Sequence, residues 1–175
     1  MKNNFIEKYK IPLEHCDDLL EYYRTHNEHK GFRKDINNTI DLLFFNESRH
    51  PIIIQFFKYL SECVVSYSRK YNITNSLKTQ FQNKIQHYST NVGFTNIHYE
   101  RSYTDCRRQL VYMLYLNTIK DQGGTRFPLQ NKVFKAIKGN LLIWPADFTH
   151  PHAGIVSPTE EKYIVTGWLN IERNG

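Results

Sequence analysis

Residues 82–100, QNKIQHYSTNVGFTNIHYE, mark the point where the sequence changes character. Upstream, apolar residues recur at steps of three and four. From here on, short runs rich in β-branched and aromatic residues follow one another: KIQHYS (84–89), TNIHYE (95–100), RQLVYMLYLN (108–117), KVFKAI (132–137), NLLIWP (140–145) and KYIVTGWLNI (162–171). Turn formers punctuate them at Gly93, at the Asp-Gln-Gly-Gly run of 121–124, at Lys138-Gly139 and at Ser157-Pro158. Strands this short and this closely spaced predict an antiparallel sandwich or barrel and not alternating βαβ units.

Working outward from that stretch, two helices are predicted upstream. Pro12 is followed by Leu13, Cys16, Leu19, Leu20 and Tyr23 at helical spacing, with Gly31 as a stop. The stretch PIIIQFFKYLSECVVSYSRKY opens on Pro51 and places Ile53, Phe56, Phe57, Leu60, Val64, Tyr67 and Tyr71 on one face. Such an aromatic stripe is core, packed on the sheet. The expected class is therefore α+β: a helical part over about residues 1–80 buttressing a jelly-roll core over about 82–171, in one domain of 175 residues.

Composition narrows the classes. Cys16, Cys63 and Cys106 are widely separated, which indicates neither a zinc ribbon nor a disulfide framework and fits an intracellular protein. The charged first twenty residues contain no apolar export segment, and no run of about 18 apolar residues is long enough for a membrane span. The net charge of +6 is dispersed, with no basic run of five, so nucleic acid is a disfavoured partner.

Eight histidines invite a metal hypothesis. With 17 acidic residues, about one His-x-acid match is expected by chance, and three occur: His15/Asp17, His26/Glu28 and His98/Glu100. On a helix, residues two apart point about 200° from each other, so the first pair cannot hold one ion and the second, at that helix's end, is handicapped alike. On a strand, positions i and i+2 leave from one face, which favours His98 and Glu100 in TNIHYE. His150 and His152, between two predicted strands, offer a third ligand. Two histidines and a carboxylate leave open positions on an octahedral ion, the set associated with non-haem Fe(II) and oxygen chemistry; a structural zinc site would be closed.

Residues 82–171 then resemble a known family. Tyr88, His98-x-Glu100 ten residues on, Arg108, Tyr115-Leu-Asn117, Gly123-Gly124 with Phe127, and His152-Ala-Gly with Lys162 and Trp168 together resemble the Fe(II)- and 2-oxoglutarate-dependent dioxygenases, in particular the prolyl 4-hydroxylase-like catalytic domain. The resemblance implies a double-stranded β-helix in which His98, Glu100 and His152 hold iron, His152 being preferred to His150 because it precedes Ala-Gly and lies ten residues before Lys162. It implies that Lys162 pairs with the distal carboxylate of 2-oxoglutarate, that Tyr88 and Tyr115 bond the co-substrate, and that Arg108 and Trp168 lie on the substrate side. It also implies Fe(II), 2-oxoglutarate and O2 as cofactors, with ascorbate as a further candidate.

The chain departs from that pattern in three places. Glu100 stands where Asp is common, one methylene longer, so the ion must shift or the strand end retreat. Ser89-Thr90-Asn91 replaces the usual Pro-Gly-Gly. The basic residue is Lys162, as in prolyl hydroxylases; the nucleic-acid demethylases of the superfamily use Arg. The resemblance thus implies hydroxylation of an unactivated C–H bond with release of succinate and CO2, most simply on a prolyl residue of a peptide or protein. The alternatives are the same chemistry on a free amino acid, another small molecule or a nucleobase, and a catalytically silent metal-binding jelly roll. The loop of residues 99–106 and the helix-to-sheet linker are the expected substrate contacts.

Overall fold

The computed structural model describes residues 4–26, 30–33 and 39–172. In chain order these form β1 (Glu7–Lys10), α1 (Leu13–Thr25), β2 (Lys30–Arg33), β3 (Thr39–Phe45), α2 (Pro51–Lys70), β4 (Leu77–Thr79), β5 (Gln82–Tyr88), β6 (Arg108–Tyr115), β7 (Thr125–Phe127), β8 (Lys132–Phe134), β9 (Asn140–Pro145), β10 (Ala153–Gly154) and β11 (Lys162–Ile171). The long helix is set by its own sequence. Pro51 supplies a first-turn residue that needs no N–H partner, Arg69 and Lys70 face the negative end of the dipole, and Asn72 leaves the helix with positive φ. Helix α1 stops at Thr25, before the expected Gly31. His15 is buried on it while Asp17 is exposed, so that pair is split across the helix; Glu28 of the His26 pair lies outside the described residues.

The large sheet runs β1-β9-β6-β11-β5-β3-β2, with β4 joined to the end of β11, and every pairing is antiparallel. A small sheet, β10-β7-β8, faces it. Five of the strands, β5, β6, β8, β9 and β11, carry runs read from the sequence. The part before residue 82, expected to be helical, also contributes β1 to β4, so it completes the sheet as well as covering it.

Period-two alternation divides the core in two. Leu110, Tyr112 and Leu114 on β6, Leu141 and Ile143 on β9, Ile85 on β5 and Val165 on β11 meet Ile53, Phe56, Leu60 and Tyr67 of α2 and Leu19 of α1. The residues between them, Val111, Met113 and Tyr115, Leu142 and Trp144, Tyr88 and Ile164, point to the other face and pack with Phe127 and Ala136 around the small sheet. One β11 position must be glycine: a Cβ on Gly167 would strike the hydrogen bond that Tyr112 donates across it to Asn83. The helices thus seal one face and leave the opposite one to enclose a cavity. No helix among the described residues is long and apolar enough to cross a membrane.

Candidate active site

That cavity has a volume of 320 Å³, and the face of the sheet turned from the helices supplies Lys84, Gln86 and Tyr88 from β5, Met113 from β6, Trp144 from β9, and Lys162, Ile164, Thr166 and Trp168 from β11. His98, Glu100 and His152 stand on its wall, and their ligating atoms all lie within 4.8 Å of one another. Among the described residues they are the one cluster of three or more histidine, cysteine or carboxylate groups so arranged.

His98 and Glu100 are not on a regular strand. Residues 95–100, expected as one, form a single β-bridge in which His98 and His152 exchange backbone hydrogen bonds of 3.0 and 2.8 Å. The bridge draws the two histidines together directly, ring centroids 4.4 Å apart. Glu100 is anchored separately, its backbone N–H donating to the Ala146 carbonyl at 3.0 Å. The chain has left strand geometry by this point.

The histidine tautomers follow from their partners. Nδ1 of His98 lies 2.9 Å from the Asn96 carbonyl and Nδ1 of His152 lies 3.1 Å from the His150 carbonyl. A carbonyl oxygen only accepts, so both Nδ1 atoms carry hydrogen and both Nε2 atoms point at Glu100 Oε1, at 3.3 and 3.5 Å. Adjacent ligands at about 2.1 Å from an octahedral ion stand about 3 Å apart, so the separation of each Nε2 from Oε1 is near what a shared metal requires. Orienting a ligating imidazole through its second nitrogen is the usual device of metal sites. Burial alone would raise the Glu100 carboxyl, but His152 and His98 facing it hold it well below the usual carboxylate range. His150 has no free nitrogen to offer: its Nε2–H donates to the Asn4 carbonyl at 2.9 Å and its Nδ1 accepts from Thr149 Oγ1 at 2.9 Å. Phe94 and Trp144 meet the two clustered histidines edge-on, and Phe127 lies tilted against His152.

Lys162 lies at the other end of the same cavity, 6% exposed. Its Nζ donates to the Ile155 carbonyl at 3.4 Å and stands 4.8 Å from the Tyr88 ring centroid. No carboxylate among the described residues lies within ion-pair distance of it, and burial lowers its pKa from 10.5 to about 8. Gly154, which donates its N–H to the Phe94 carbonyl at 2.7 Å, leaves the space beside this ammonium open.

Other residues singled out from the sequence fall into place less directly. Tyr115 is fully buried behind the wall and shares a 2.7 Å hydrogen bond with Thr125, so the side chain facing the cavity at that point is Thr125. Arg108 and Trp168 line the mouth in contact, the guanidinium 3.8 Å above the indole centroid. Asn91 takes positive φ in the loop that replaces Pro-Gly-Gly and ties it to Ser157. Sequence reasoning missed Thr125, Lys84 and Gln86. Period-two alternation from Tyr88 would have found the last two.

Comparison with known proteins decides the family. Residues 83–170 match the 2OG-Fe(II) oxygenase superfamily. The chain belongs to that superfamily. It is accordingly a 2-oxoglutarate-dependent dioxygenase, and the family implies Fe(II), 2-oxoglutarate and O2. The search of curated proteins found no match. Among solved structures, the viral collagen prolyl hydroxylase of Paramecium bursaria Chlorella virus-1 is similar at 18% identity and TM-score 0.77, covering 96% of this chain and 97% of that one. A prolyl-4-hydroxylase of Pseudomonas putida is similar at 16% identity and TM-score 0.79, over 97% and 94%. A prolyl hydroxylase of Trichoplax adhaerens, solved with a hypoxia inducible factor peptide, is similar at 16% identity and TM-score 0.72, over 97% and 84%. These likenesses establish the shared double-stranded β-helix fold.

Proposed function

We propose that this oxygenase hydroxylates a prolyl residue in a peptide or protein, releasing succinate and CO2, and that its 175 residues act as one catalytic domain. In this reading His98, Glu100 and His152 hold Fe(II), and Lys162 pairs with the distal carboxylate of 2-oxoglutarate beside Tyr88. Tyr115 acts from behind the wall through Thr125, and ascorbate keeps the iron ferrous. The bound iron, co-substrate and O2 supply the oxidising power for an unactivated C–H bond. The observation that carries the reading is the pairing of two features in one cavity: a carboxylate-histidine cluster at one end and, at the other, a buried ammonium with no carboxylate partner among the described residues. A buried charge left alone is expensive, so the site is built for an anionic guest that reaches from Lys162 towards the cluster.

The protein's own groups do the positioning. The Nδ1–H bonds of His98 and His152 keep both Nε2 atoms aimed inward. Phe94, Phe127 and Trp144 pack against the two rings and make that wall of the cavity apolar. Lys162 retains its proton at neutral pH and fixes one end of the guest.

A chain-like substrate is favoured over a small molecule because the cavity does not end at its mouth. A second groove of 390 Å³ shares Lys84, Arg108 and Trp168 with it and continues past Asp41, Leu43, Gln80 and Asn83. Ile97, Tyr99 and Tyr103 are exposed in the segment that carries His98 and Glu100. The prolyl hydroxylases that share the fold, one of them solved with a peptide, point the same way. The three cysteines, none in a disulfide, fit an intracellular setting.

The test is an anaerobic titration of metal-free protein with Fe(II) and then 2-oxoglutarate, followed by succinate release on proline-containing peptides. A visible charge-transfer band and peptide-dependent succinate support the assignment. Tight metal binding with no band refutes the co-substrate role, and a band with succinate release stimulated only by free amino acids or nucleobases refutes the prolyl peptide.

A further inference from the structure

Glu100 carries two sp³ torsions before its carboxylate where aspartate has one, so a glutamate ligand has more ways to face wrongly and more rotamer freedom to lose. In this structure both ends of the residue are held. The Trp168 indole N–H donates to Oε2 at 3.0 Å, and Arg108 Nη1 lies 3.7 Å from the same oxygen. Arg108 Nη1 also donates to the Glu100 backbone carbonyl at 3.1 Å. With Oε2 so occupied, Oε1 is left as the oxygen that faces the two Nε2 atoms.

The arms of this grip are themselves fixed. The guanidinium stacks 3.8 Å above the Trp168 ring, its Nη2 pairs with Asp105 at 3.1 Å, and its Nε donates to Gln80 Oε1 at 3.2 Å. Arg101 then bonds the Arg108 carbonyl at 2.9 Å and Asp147 at 2.8 Å, next to the Ala146 carbonyl that anchors Glu100. The grip therefore reaches β6, β11 and the end of β9 and does not rest on the loop alone.

We propose that Trp168 and Arg108 are positioning residues for Glu100, a clamp that lets a glutamate serve as the carboxylate ligand by withdrawing its extra length and presenting one oxygen. Both residues also line the groove where the substrate is placed, so the clamp couples the mouth of the cavity to the ligand. The inference rests on the assignment of His98, Glu100 and His152 as the metal site.

The experiment measures Mn(II) affinity by electron paramagnetic resonance, with the Co(II) absorption spectrum as a second readout, in four proteins: unmodified, Trp168→Phe, Glu100→Asp and the double variant. Phenylalanine keeps an aromatic ring beside Arg108 and removes the N–H donor. The clamp requires Trp168→Phe to weaken Mn(II) binding roughly ten- to a hundredfold and to alter the Co(II) spectrum in the glutamate protein. In the Glu100→Asp background the same change should have an effect within about twofold, because the shorter carboxylate does not use the clamp. Equal losses in both backgrounds, or no loss in either, overturn the proposal while leaving the metal site standing. Failure of the unmodified protein to bind Mn(II) or Co(II) at all overturns the metal site and the clamp with it.

Discussion

The two ends of the cavity treat positive charge in opposite ways. At the mouth, Arg108 is paired with Asp105 and lies near Glu100, and Lys84 sits 3.5 Å from buried Asp41, whose other oxygen accepts from Gln86 at 3.1 Å. At the inner end, Lys162 meets a carbonyl and a ring face and no carboxylate among the described residues. The contrast separates wiring from recognition. A cation whose counter-charge is built in adds little attraction for a guest, whereas one left uncompensated in an apolar enclosure is neutralised by what it binds. Folding alone would not retain Lys162, since holding its ammonium in place costs the native state roughly 3 kcal/mol at neutral pH by the shift of its pKa.

The largest effect should come from the carboxylate-histidine cluster itself. His152→Ala is expected to lower Fe(II) or Mn(II) affinity by more than about a hundredfold, since it removes a ligand of three. His150→Ala should leave affinity within several-fold, because its ring nitrogens are both spent on Asn4 and Thr149. Isothermal titration with Mn(II) ranks the two, and the reverse ranking breaks the site as drawn.

The expectation that His152 outranks His150 is drawn from the sequence, and its grounds are local. The ten-residue spacing between His152 and Lys162 and the Ala-Gly that follows His152 are read directly along the chain. So are α2, β9 and β11, whose periodicity is long or whose breakers are strong. What escaped has non-local causes. The segment TIDLLFF became strand β3, paired on both sides, although its Asp41 is buried, because Gln86 and Lys84 on the neighbouring strand satisfy it. The short charged segment EKYK became edge strand β1 only through pairing with β9. Residues 95–100 looked like a strand but are held by one bridge and an anchor to Ala146. Tyr115 carries a motif signal, yet the side chain it places at the wall is Thr125, and no spacing within the sequence announces that hydrogen bond.

Next in size is the inner end itself. Lys162→Met should weaken 2-oxoglutarate binding about a hundredfold, by loss of a buried charge pair, with Mn(II) affinity unchanged. The same variant should be more stable than the parent at pH 7 without co-substrate, by at most roughly 3 kcal/mol in urea unfolding. The sign follows from the depressed pKa: the penalty on the charged form is fully present below about 8 and disappears as pH rises towards 10.5. Co-substrate affinity should run the other way, falling about tenfold per pH unit above about 8, because the anion selects the protonated amine. A flat profile from pH 7 to 10 would remove Lys162 from co-substrate binding.

The smallest effect should be at the mouth. Replacing Lys84 and Asp41 together, by Lys84→Met with Asp41→Asn, removes a built-in pair without stranding either charge. Both residues border the groove that continues from the cavity, and neither approaches Lys162 or the histidine cluster closely enough to be paired with them. Mn(II) and 2-oxoglutarate affinities should therefore stay within about twofold, while the KM for a peptide substrate changes several-fold with little change in kcat, the pattern of lost uniform binding. If co-substrate affinity moved as far as it does in Lys162→Met, the distinction between a compensated and an uncompensated cation would fail, and the two ends would have to be treated as one electrostatic unit.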